Sequence, residues 1–264
     1  TTGVLDSKFG LAISTGQAEE AVKAALEMRS VNLLGLHFHL GSPIFETTPY
    51  ETAISVVLDF AKEMKQKYDF DMVELSVGGG FAVAYTMQDE APMPAVYADA
   101  VVGKMSDLLL KKSLLPPRLT IEPGRSIVAR AGVALYTVGA LKDVPGIRKF
   151  VCVDGGMSDN IRPPLYDAKY EAMVANKAAE PNAQTVTVAG KLCESGDILI
   201  KDIQLPRMAS GDIIAVPACG AYCVPMASNY NANPRPAVVF VKNGEPRLVR
   251  RRETFEDLYG LDAL

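Results

Sequence analysis

The feature that most constrains the fold of this chain is the alternation of two hydrophobic periodicities in its first half. Three segments combine helix formers with apolar residues at helical spacing: 16–30, 50–68 and 95–112. Short apolar runs of strand length lie at 31–39, 71–77 and 118–122. Strand–helix alternation of this length predicts parallel strands, in an α/β sheet or a barrel.

The pattern changes after about residue 126. Seven β-rich runs follow, beginning with "SIVARAGVALYTVGALKD", and turn sequences such as "VPGI", "ASGD" and "KNGEP" separate them. Such runs predict a mainly antiparallel β-domain. We therefore expect a first domain over 1–126 and a second, sandwich-like or barrel-like β-domain over 127–264.

Composition excludes several classes of function. The 264 residues are 48% hydrophobic and carry a net charge of −4, which gives no reason to expect a nucleic acid or an anionic membrane as partner. No apolar run approaches the roughly 20 residues that span a bilayer, and no signal peptide is visible. The four cysteines are few and scattered, which favours a reducing, cytoplasmic location.

Three of the predicted strands end in polar or glycine-rich sequence, where α/β barrels collect functional groups. In "HFHLGS", the imidazole ring of His39 could stack against a flat ligand, while His37 is interpreted as a structural histidine. "VGGGF" exposes backbone N–H groups that suit a phosphate, although glycine runs are also plain turns. "TIEPGRS" places Glu122 and Arg125 close together, as an anion with an anion receptor or as an ordinary surface pair.

One ligand satisfies all three strand ends together. It has an aromatic ring for His39, a phosphate for the glycine run, and a ring nitrogen whose proton Glu122 holds. This combination predicts pyridoxal phosphate. No third histidine or cysteine lies near the histidine pair, so no metal site is predicted.

Six ordered motifs resemble those of the diaminopimelate decarboxylases, from "SKFG" at 7–10 to "RRRETFEDLYGLD" at 250–262. They are "GLHFHLGS", "LSVGGGF", "IEPGRSIVA", "VDGGMSDNIRPPLY", "GKLCESGD" and "GAYCVPMASNYN". This family belongs to the fold-type III pyridoxal-phosphate enzymes, with ornithine decarboxylase and alanine racemase. The resemblance implies the C-terminal part of a (β/α)8 barrel followed by an antiparallel β-domain.

The resemblance also implies roles in holding the cofactor. His39 stacks on the ring, Glu122 pairs with the pyridinium nitrogen, and Tyr222 reaches both phosphate and substrate. The residues expected around the phosphate are Ser42, Gly78, Gly79, Gly80, Gly124 and Arg125.

The second half of the resemblance implies substrate selection and proton transfer. Arg162 and Tyr166 join Arg125 in holding a distal carboxylate, which a guanidinium binds well, and Glu194 binds the distal amine. Cys193 is the implied proton donor, delivered to the active site of the neighbouring subunit in a homodimer. The implied reaction is decarboxylation of meso-2,6-diaminopimelate to L-lysine, the last step of lysine biosynthesis.

One part of the family pattern is missing. In this family the lysine that forms a Schiff base with the cofactor lies on the first barrel strand, in a Tyr-x-x-Lys-type motif. None of the three strand runs predicted here contains such a motif, so we expect a C-terminal fragment that is inactive alone. Pro43, Asp167 and Pro225 are local departures in loops. Two alternatives stay open: decarboxylation of a related substrate, arginine or carboxynorspermidine, and a non-catalytic homologue that binds a partner decarboxylase.

Overall fold

The computed structural model describes residues 6–263, which divide into two compact units. Unit 1 contains the described residues up to Ala84 and Glu90–Ile127. Unit 2 contains Tyr85–Asp89 and the described residues from Val128 onward. The main border thus lies one residue beyond the end of the predicted first domain, and Tyr85–Asp89 packs with unit 2 although the sequence assigned it to the first domain.

Unit 1 has the predicted alternation of helices and parallel strands. Its long helices are α1 (Gln17–Glu27), α2 (Thr48–Tyr68) and α3 (Pro94–Lys112). Its strands, paired in the order β1-β2-β3, are β1 (Gly35–His37), β2 (Glu74–Ser76) and β3 (Arg118–Thr120). The register aligns His37 with Ser76 and Ser76 with Thr120, so the three carboxyl ends meet at one edge.

The three strands are shorter than their apolar runs predict. Val73 and Glu74 both donate to the Leu34 carbonyl, so regular pairing begins only after Leu34. At the other end, Gly78 has a φ of +68° and turns the chain away from β2. Of the apolar residues beyond the strands, Val77 is fully buried in the core, whereas Leu34, Val73 and Ile121 are about half exposed.

Helices α2 and α3 cover the sheet through their apolar faces. The buried positions recur at helical spacing, as the sequence pattern predicts, and meet the central strand. The core comprises Tyr50, Ile54, Val57, Leu58, Leu75, Val77, Phe81, Tyr97, Val101, Met105 and Leu109. This packing fixes β2 and the glycine run that follows it.

Unit 2 is built on a six-stranded sheet with the order β6-β9-β4-β5-β7-β8 and on a separate hairpin, β10-β11. The strands are β4 (Ala134–Val144), β5 (Arg148–Val153), β6 (Met173–Val174), β7 (Gln184–Ala189), β8 (Ile198–Leu205), β9 (Ile213–Val216), β10 (Val238–Lys242) and β11 (Glu245–Arg250). Short helices are α4 (Arg125–Val128), at the border of the units, α5 (Arg162–Tyr166), α6 (Cys223–Met226) and α7 (Phe255–Tyr259).

The second half differs from the sequence prediction in two respects. The pairing is antiparallel except between β5 and β7, which run parallel because the long connection between them allows a crossover. The run that begins "SIVARAG" starts as helix α4 and a 3-10 turn at Ala129–Ala131, and strand begins only at Ala134. The turn before α4 contains Pro123 and Gly124, which end the preceding extended segment.

Residues 6–263 contain neither a candidate membrane-spanning helix nor a candidate metal-binding cluster. Among these residues no helix is long and apolar enough to cross a membrane. In the same part of the chain, no group of three or more His, Cys, Asp or Glu side chains is arranged to hold a metal ion.

Candidate functional site

The carboxyl ends of β1, β2 and β3 bring polar side chains together in unit 1. Glu122 Oε1 lies 3.3 Å from His37 Nε2, and it accepts a hydrogen bond of 3.2 Å from Ser76 Oγ. The side chains of His37 and Glu122 are each 52% exposed, so the carboxylate has partners on one side and an open face on the other. An open carboxylate at this edge suits a ligand that carries an N–H group.

The glycine run passes between the neighbouring strand ends with no room for side chains. A Cβ at Gly79 would collide with the Glu122 carbonyl, and a Cβ at Gly80, where φ is +98°, would collide with the Gly41 carbonyl. Gly79 N donates to His39 Nδ1 at 3.3 Å, which assigns the proton of a neutral His39 ring to Nε2. The glycines therefore serve close backbone approach here, rather than a simple surface turn.

A serine and an arginine flank the glycine run. Arg125 is only 6% exposed, and its Nε and Nη2 atoms both donate to Ser42 Oγ at 3.2 Å. Ser42 directly follows Gly41, whose carbonyl faces Gly80. The site residues predicted for the first domain thus lie at one edge of unit 1. Their hydroxyl, guanidinium and backbone N–H groups are the kinds of donor that bind phosphate. Gly124 lies in the same turn, with open space where a Cβ would be.

A second group of predicted residues surrounds Arg162 in unit 2. Arg162 is 6% exposed, and its Nη1 donates to the Tyr170 hydroxyl. Its guanidinium carbon lies 4.7 Å from the ring centroid of Tyr85, 5.5 Å from that of Tyr170 and 6.0 Å from that of Tyr222. We call Arg162 with Tyr85, Tyr170 and Tyr222 the Arg162 cluster. The structure therefore brings the predicted Arg162 and Tyr222 together.

Tyr166 differs from the residues of this cluster because its side chain is exposed. It ends α5, which begins at Arg162, but its side chain is 62% exposed whereas that of Arg162 is buried. One short helix therefore carries a buried guanidinium at its start and an exposed phenol at its end.

Cys193 and Glu194 occupy a loop between β7 and β8. Cys193 is exposed, and its backbone N–H donates to Asn231 Oδ1 at 2.8 Å. Glu194 accepts a hydrogen bond of 3.1 Å from Gly196 N, which, with smaller contributions from the Ser195 and Tyr230 hydroxyls, lowers the pKa of its carboxyl group. The loop thus presents an exposed thiol beside a carboxylate that stays ionised.

Asp197 holds this loop in shape, a role that the sequence analysis did not assign. It is 3% exposed and accepts hydrogen bonds from the backbone of Met157, at 2.6 Å, and of Leu192, at 2.9 Å. Burial raises the pKa of Asp197 although these two N–H groups favour the charged form. A Cβ at Gly190 would collide with its carboxylate, which explains the small residue before the loop.

Sequence reasoning missed several residues that contact the predicted ones. His37, interpreted as structural, is the partner of Glu122, and aligning the ends of parallel strands would have found it. Tyr85 and Tyr170 face Arg162, the first from a segment far away in the chain and the second from eight residues further on, and no local pattern indicates either of them. Cys219 and Cys223, to which the resemblance gives no role, are both buried, and Cys223 Sγ lies 3.9 Å from the Tyr170 hydroxyl.

Comparison with known proteins places this geometry in context. Residues 1–129 match the family described as "Pyridoxal-dependent decarboxylase, pyridoxal binding domain". The chain is 48% identical to the diaminopimelate decarboxylase of Bacillus subtilis (strain 168), over 99% of the chain and 60% of that relative. The diaminopimelate decarboxylase of M. jannaschii, solved in complex with L-lysine, superimposes with a TM-score of 0.92 at 36% identity, covering 100% of this chain and 59% of that one.

A more distant structure gives a useful contrast. The lysine/ornithine decarboxylase of Vibrio vulnificus, solved with cadaverine, superimposes with a TM-score of 0.71 at 26% identity, covering 86% of this chain and 59% of that one.

The fold and the matched domain define the class: this chain has the fold of the type III pyridoxal-dependent decarboxylases. Within that class it is a homologue of the diaminopimelate decarboxylases, as the motifs predicted. It spans about 60% of the length of the curated relatives it matches.

Proposed function

We propose that this chain forms the phosphate-binding, substrate-selecting and proton-donating part of a pyridoxal-phosphate-dependent diaminopimelate decarboxylase. The reaction is the conversion of meso-2,6-diaminopimelate to L-lysine and CO2. The observation that carries the proposal is a nearly buried arginine, Arg162, within a chain that is 48% identical to a diaminopimelate decarboxylase. A small amino acid with a second carboxylate matches that arginine in charge and in shape.

The strand-end residues of unit 1 fit a phosphorylated pyridine. Ser42, Arg125 and the backbone at Gly78–Gly80 would hold the phosphate, His39 would lie against the ring, and Glu122 would accept the ring N–H. The cofactor supplies an electron sink for the bond to carbon that breaks, and its protonated ring makes that sink stronger. Glu122 would keep the proton on the ring nitrogen, because a carboxylate favours the positively charged pyridinium.

Arg162 would select the substrate by binding its distal carboxylate, with Arg125, Tyr166 and Tyr222 contributing contacts. Arg162 is nine-tenths buried, so it binds an anion more strongly than an exposed arginine would. Glu194, whose lowered pKa keeps it ionised, would receive the distal ammonium group. Together these charges match both ends of a diamino dicarboxylate, whereas ornithine has no second carboxylate for Arg162.

Cys193 would give a proton to the carbon that has lost CO2. Its thiol is exposed on the loop that Asp197 fixes, which supports delivery of this group to a second molecule of the same chain. We therefore propose a homodimer with shared active sites. We propose the cytoplasm as its compartment because the cysteines are few and scattered in the sequence.

The test measures CO2 release by the full-length gene product, supplied with pyridoxal phosphate, from three amino acids. We expect release from meso-diaminopimelate and far less from arginine or carboxynorspermidine. Arg162→Ala should raise KM for meso-diaminopimelate by about 100-fold, since a charged pair of this kind contributes about 3 kcal/mol. A preference for arginine or carboxynorspermidine would reassign the substrate, and no release from any of the three would favour a non-catalytic partner protein.

A further inference from the structure

The Arg162 cluster compensates a buried positive charge in an unusual way. Within residues 6–263, no carboxylate forms an ion pair with Arg162. A buried cation is costly unless hydrogen bonds or other charges stabilise it. Here its neighbours are three tyrosine rings, which attract a guanidinium through their electron-rich faces while leaving it able to bind an anion.

Tyr170 fixes the orientation of the guanidinium. Its hydroxyl accepts the hydrogen bond from Arg162 Nη1 and lies 3.9 Å from Cys223 Sγ, and its side chain is only 4% exposed. Burial and the Cys223 thiol raise the pKa of Tyr170, so the phenol remains neutral across the physiological range and does not itself neutralise the arginine. One of the two terminal nitrogens of Arg162 is therefore fixed in direction, and the planar fork sets the direction of the others.

Tyr85 closes the cluster from a short, well-anchored turn. Its ring packs edge-on against Tyr170, with centroids 5.2 Å apart and an interplanar angle of 79°. Asp89 Oδ2 accepts hydrogen bonds of 2.8 Å from the backbone N–H groups of Tyr85 and Thr86. Met87 N donates to Glu171 Oε1 at 3.1 Å, next to Tyr170. The turn thus holds Tyr85 against both Tyr170 and Arg162.

We propose that Tyr170 and Tyr85 are positioning residues that make Arg162 selective for a carboxylate-bearing amino acid. They hold the guanidinium so that its remaining N–H groups meet a carboxylate with good geometry, and they supply no negative charge that would compete with it. This inference rests on the proposed function, since it assigns the origin of selectivity at the same site. The two residues act through Arg162 and need no contact with the substrate.

The experiment compares two ligands that differ by one carboxylate, L-lysine and cadaverine, by calorimetric titration of the cofactor-loaded, full-length gene product. Tyr170→Phe removes the hydroxyl that holds Arg162 but keeps the ring. We expect it to weaken L-lysine binding about tenfold, because hydrogen bonds to charged groups contribute roughly 1.5 kcal/mol or more, and to leave cadaverine binding unchanged. In turnover, KM for meso-diaminopimelate should rise by a similar factor while kcat changes much less.

Two further variants separate positioning from general stability. Tyr85→Leu removes the ring that faces Arg162 and should weaken binding of L-lysine but not of cadaverine. Tyr136→Phe is the matched control, because Tyr136 is a buried tyrosine of unit 2 that is not among the rings facing Arg162. The measured quantity is the ratio of the affinities for L-lysine and cadaverine. Partial unfolding of a variant lowers both apparent affinities equally and leaves this ratio unchanged.

The outcomes distinguish the inference from the proposed function. Equal weakening of L-lysine and cadaverine by Tyr170→Phe, or no weakening of either, would overturn the positioning role. Suppose that Tyr170→Phe weakens binding of L-lysine selectively, but that the wild-type protein releases no CO2 from meso-diaminopimelate. That result would overturn the proposed function alone.

Discussion

At the scale of single residues, buried charges in unit 2 are held by dense sets of donors. Asp212, only 7% exposed, accepts hydrogen bonds from Lys177 Nζ at 2.7 Å, Asn176 Nδ2 at 2.9 Å and Ala209 N at 2.7 Å. These donors, led by Lys177, lower the pKa of Asp212 to about 2. The carboxylate fixes the turn that leads into β9, the neighbour of the central strand β4.

We predict that Asp212→Asn lowers the free energy of unfolding by about 1–2 kcal/mol at pH 7. Because the pKa of Asp212 in the folded state is below its ordinary value of 3.8, the stabilisation is fully present above about pH 4 and is lost as the pH falls towards 2. Urea unfolding midpoints of both proteins at pH 7, 4 and 3 measure the difference.

The matched control for this prediction is Asp143→Asn, whose exposed carboxylate lies 3.4 Å from Lys149 Nζ at the end of β4. We expect a smaller effect there, since exposed ion pairs contribute little. A difference for Asp212→Asn that stays constant down to pH 3 would contradict the assignment.

The sequence indicated the chemical residues of the candidate site better than their supporting residues. His39, Glu122 and Arg125 could be predicted because each follows an apolar strand run and carries a side chain with obvious chemistry. Tyr170 could not be predicted, because no regular periodicity links it to Arg162 eight residues earlier and a buried tyrosine is ordinary in sequence. The roles of all these residues remain predictions.

At the scale of elements, one helix residue holds the glycine run that follows β2. Tyr50, in the first turn of α2, is fully buried and donates to the Gly79 carbonyl at 2.8 Å. Its ring stacks on Phe81 with centroids 5.5 Å apart. The helix and the strand end are therefore joined through one hydroxyl directly behind the proposed phosphate site.

We predict that Tyr50→Phe lowers the free energy of unfolding by about 1–3 kcal/mol, because it leaves the buried Gly79 carbonyl without its donor. It should also weaken binding of pyridoxal phosphate to the apoprotein, measured by fluorescence titration. Tyr68→Phe is the control on the same helix, since that hydroxyl meets Glu19 near the surface at 2.8 Å. Equal stability losses in the two variants would contradict the role given to Tyr50.

Helices and turns that have a periodic or turn-forming sequence were predicted well. Strand pairings between segments far apart in the chain were not. The helices at 50–68 and 95–112 match α2 and α3 almost residue for residue, because their periodicity is long and each contains a proline in the first turn. The "KNGEP" turn joins β10 and β11 with positive φ at Asn243 and Gly244. The parallel pairing of β5 with β7 left no local trace, because a partner strand is chosen by the tertiary fold.

At the scale of the whole molecule, the proposed dimer assigns Arg162 and Cys193 of one active site to different subunits. A mixture of two full-length variants, each nearly inactive at a substrate concentration below the wild-type KM, should then recover activity. We predict that Arg162→Ala and Cys193→Ala proteins, mixed and allowed to exchange subunits, regain about a quarter of wild-type CO2 release, because half of the dimers are mixed and each mixed dimer has one intact site.

The control for subunit exchange is a mixture of Arg162→Ala with Glu122→Gln, two residues that the proposal assigns to the same subunit of a site. That mixture should stay inactive. Recovery in the control, or none in the test mixture of proteins shown to exchange subunits, would contradict shared active sites.

The assignment of Tyr85–Asp89 to unit 2 has a consequence for dissecting this protein. The polypeptide passes between the two units three times, at Ala84/Tyr85, Asp89/Glu90 and Ile127/Val128. A recombinant piece starting at Val128 would lack Tyr85 and would expose the edge of Tyr170 that its ring covers. Neither unit can be separated intact by a single cut in the chain. Division at the Ile127/Val128 border would separate Arg162 from the Tyr85 ring that faces it.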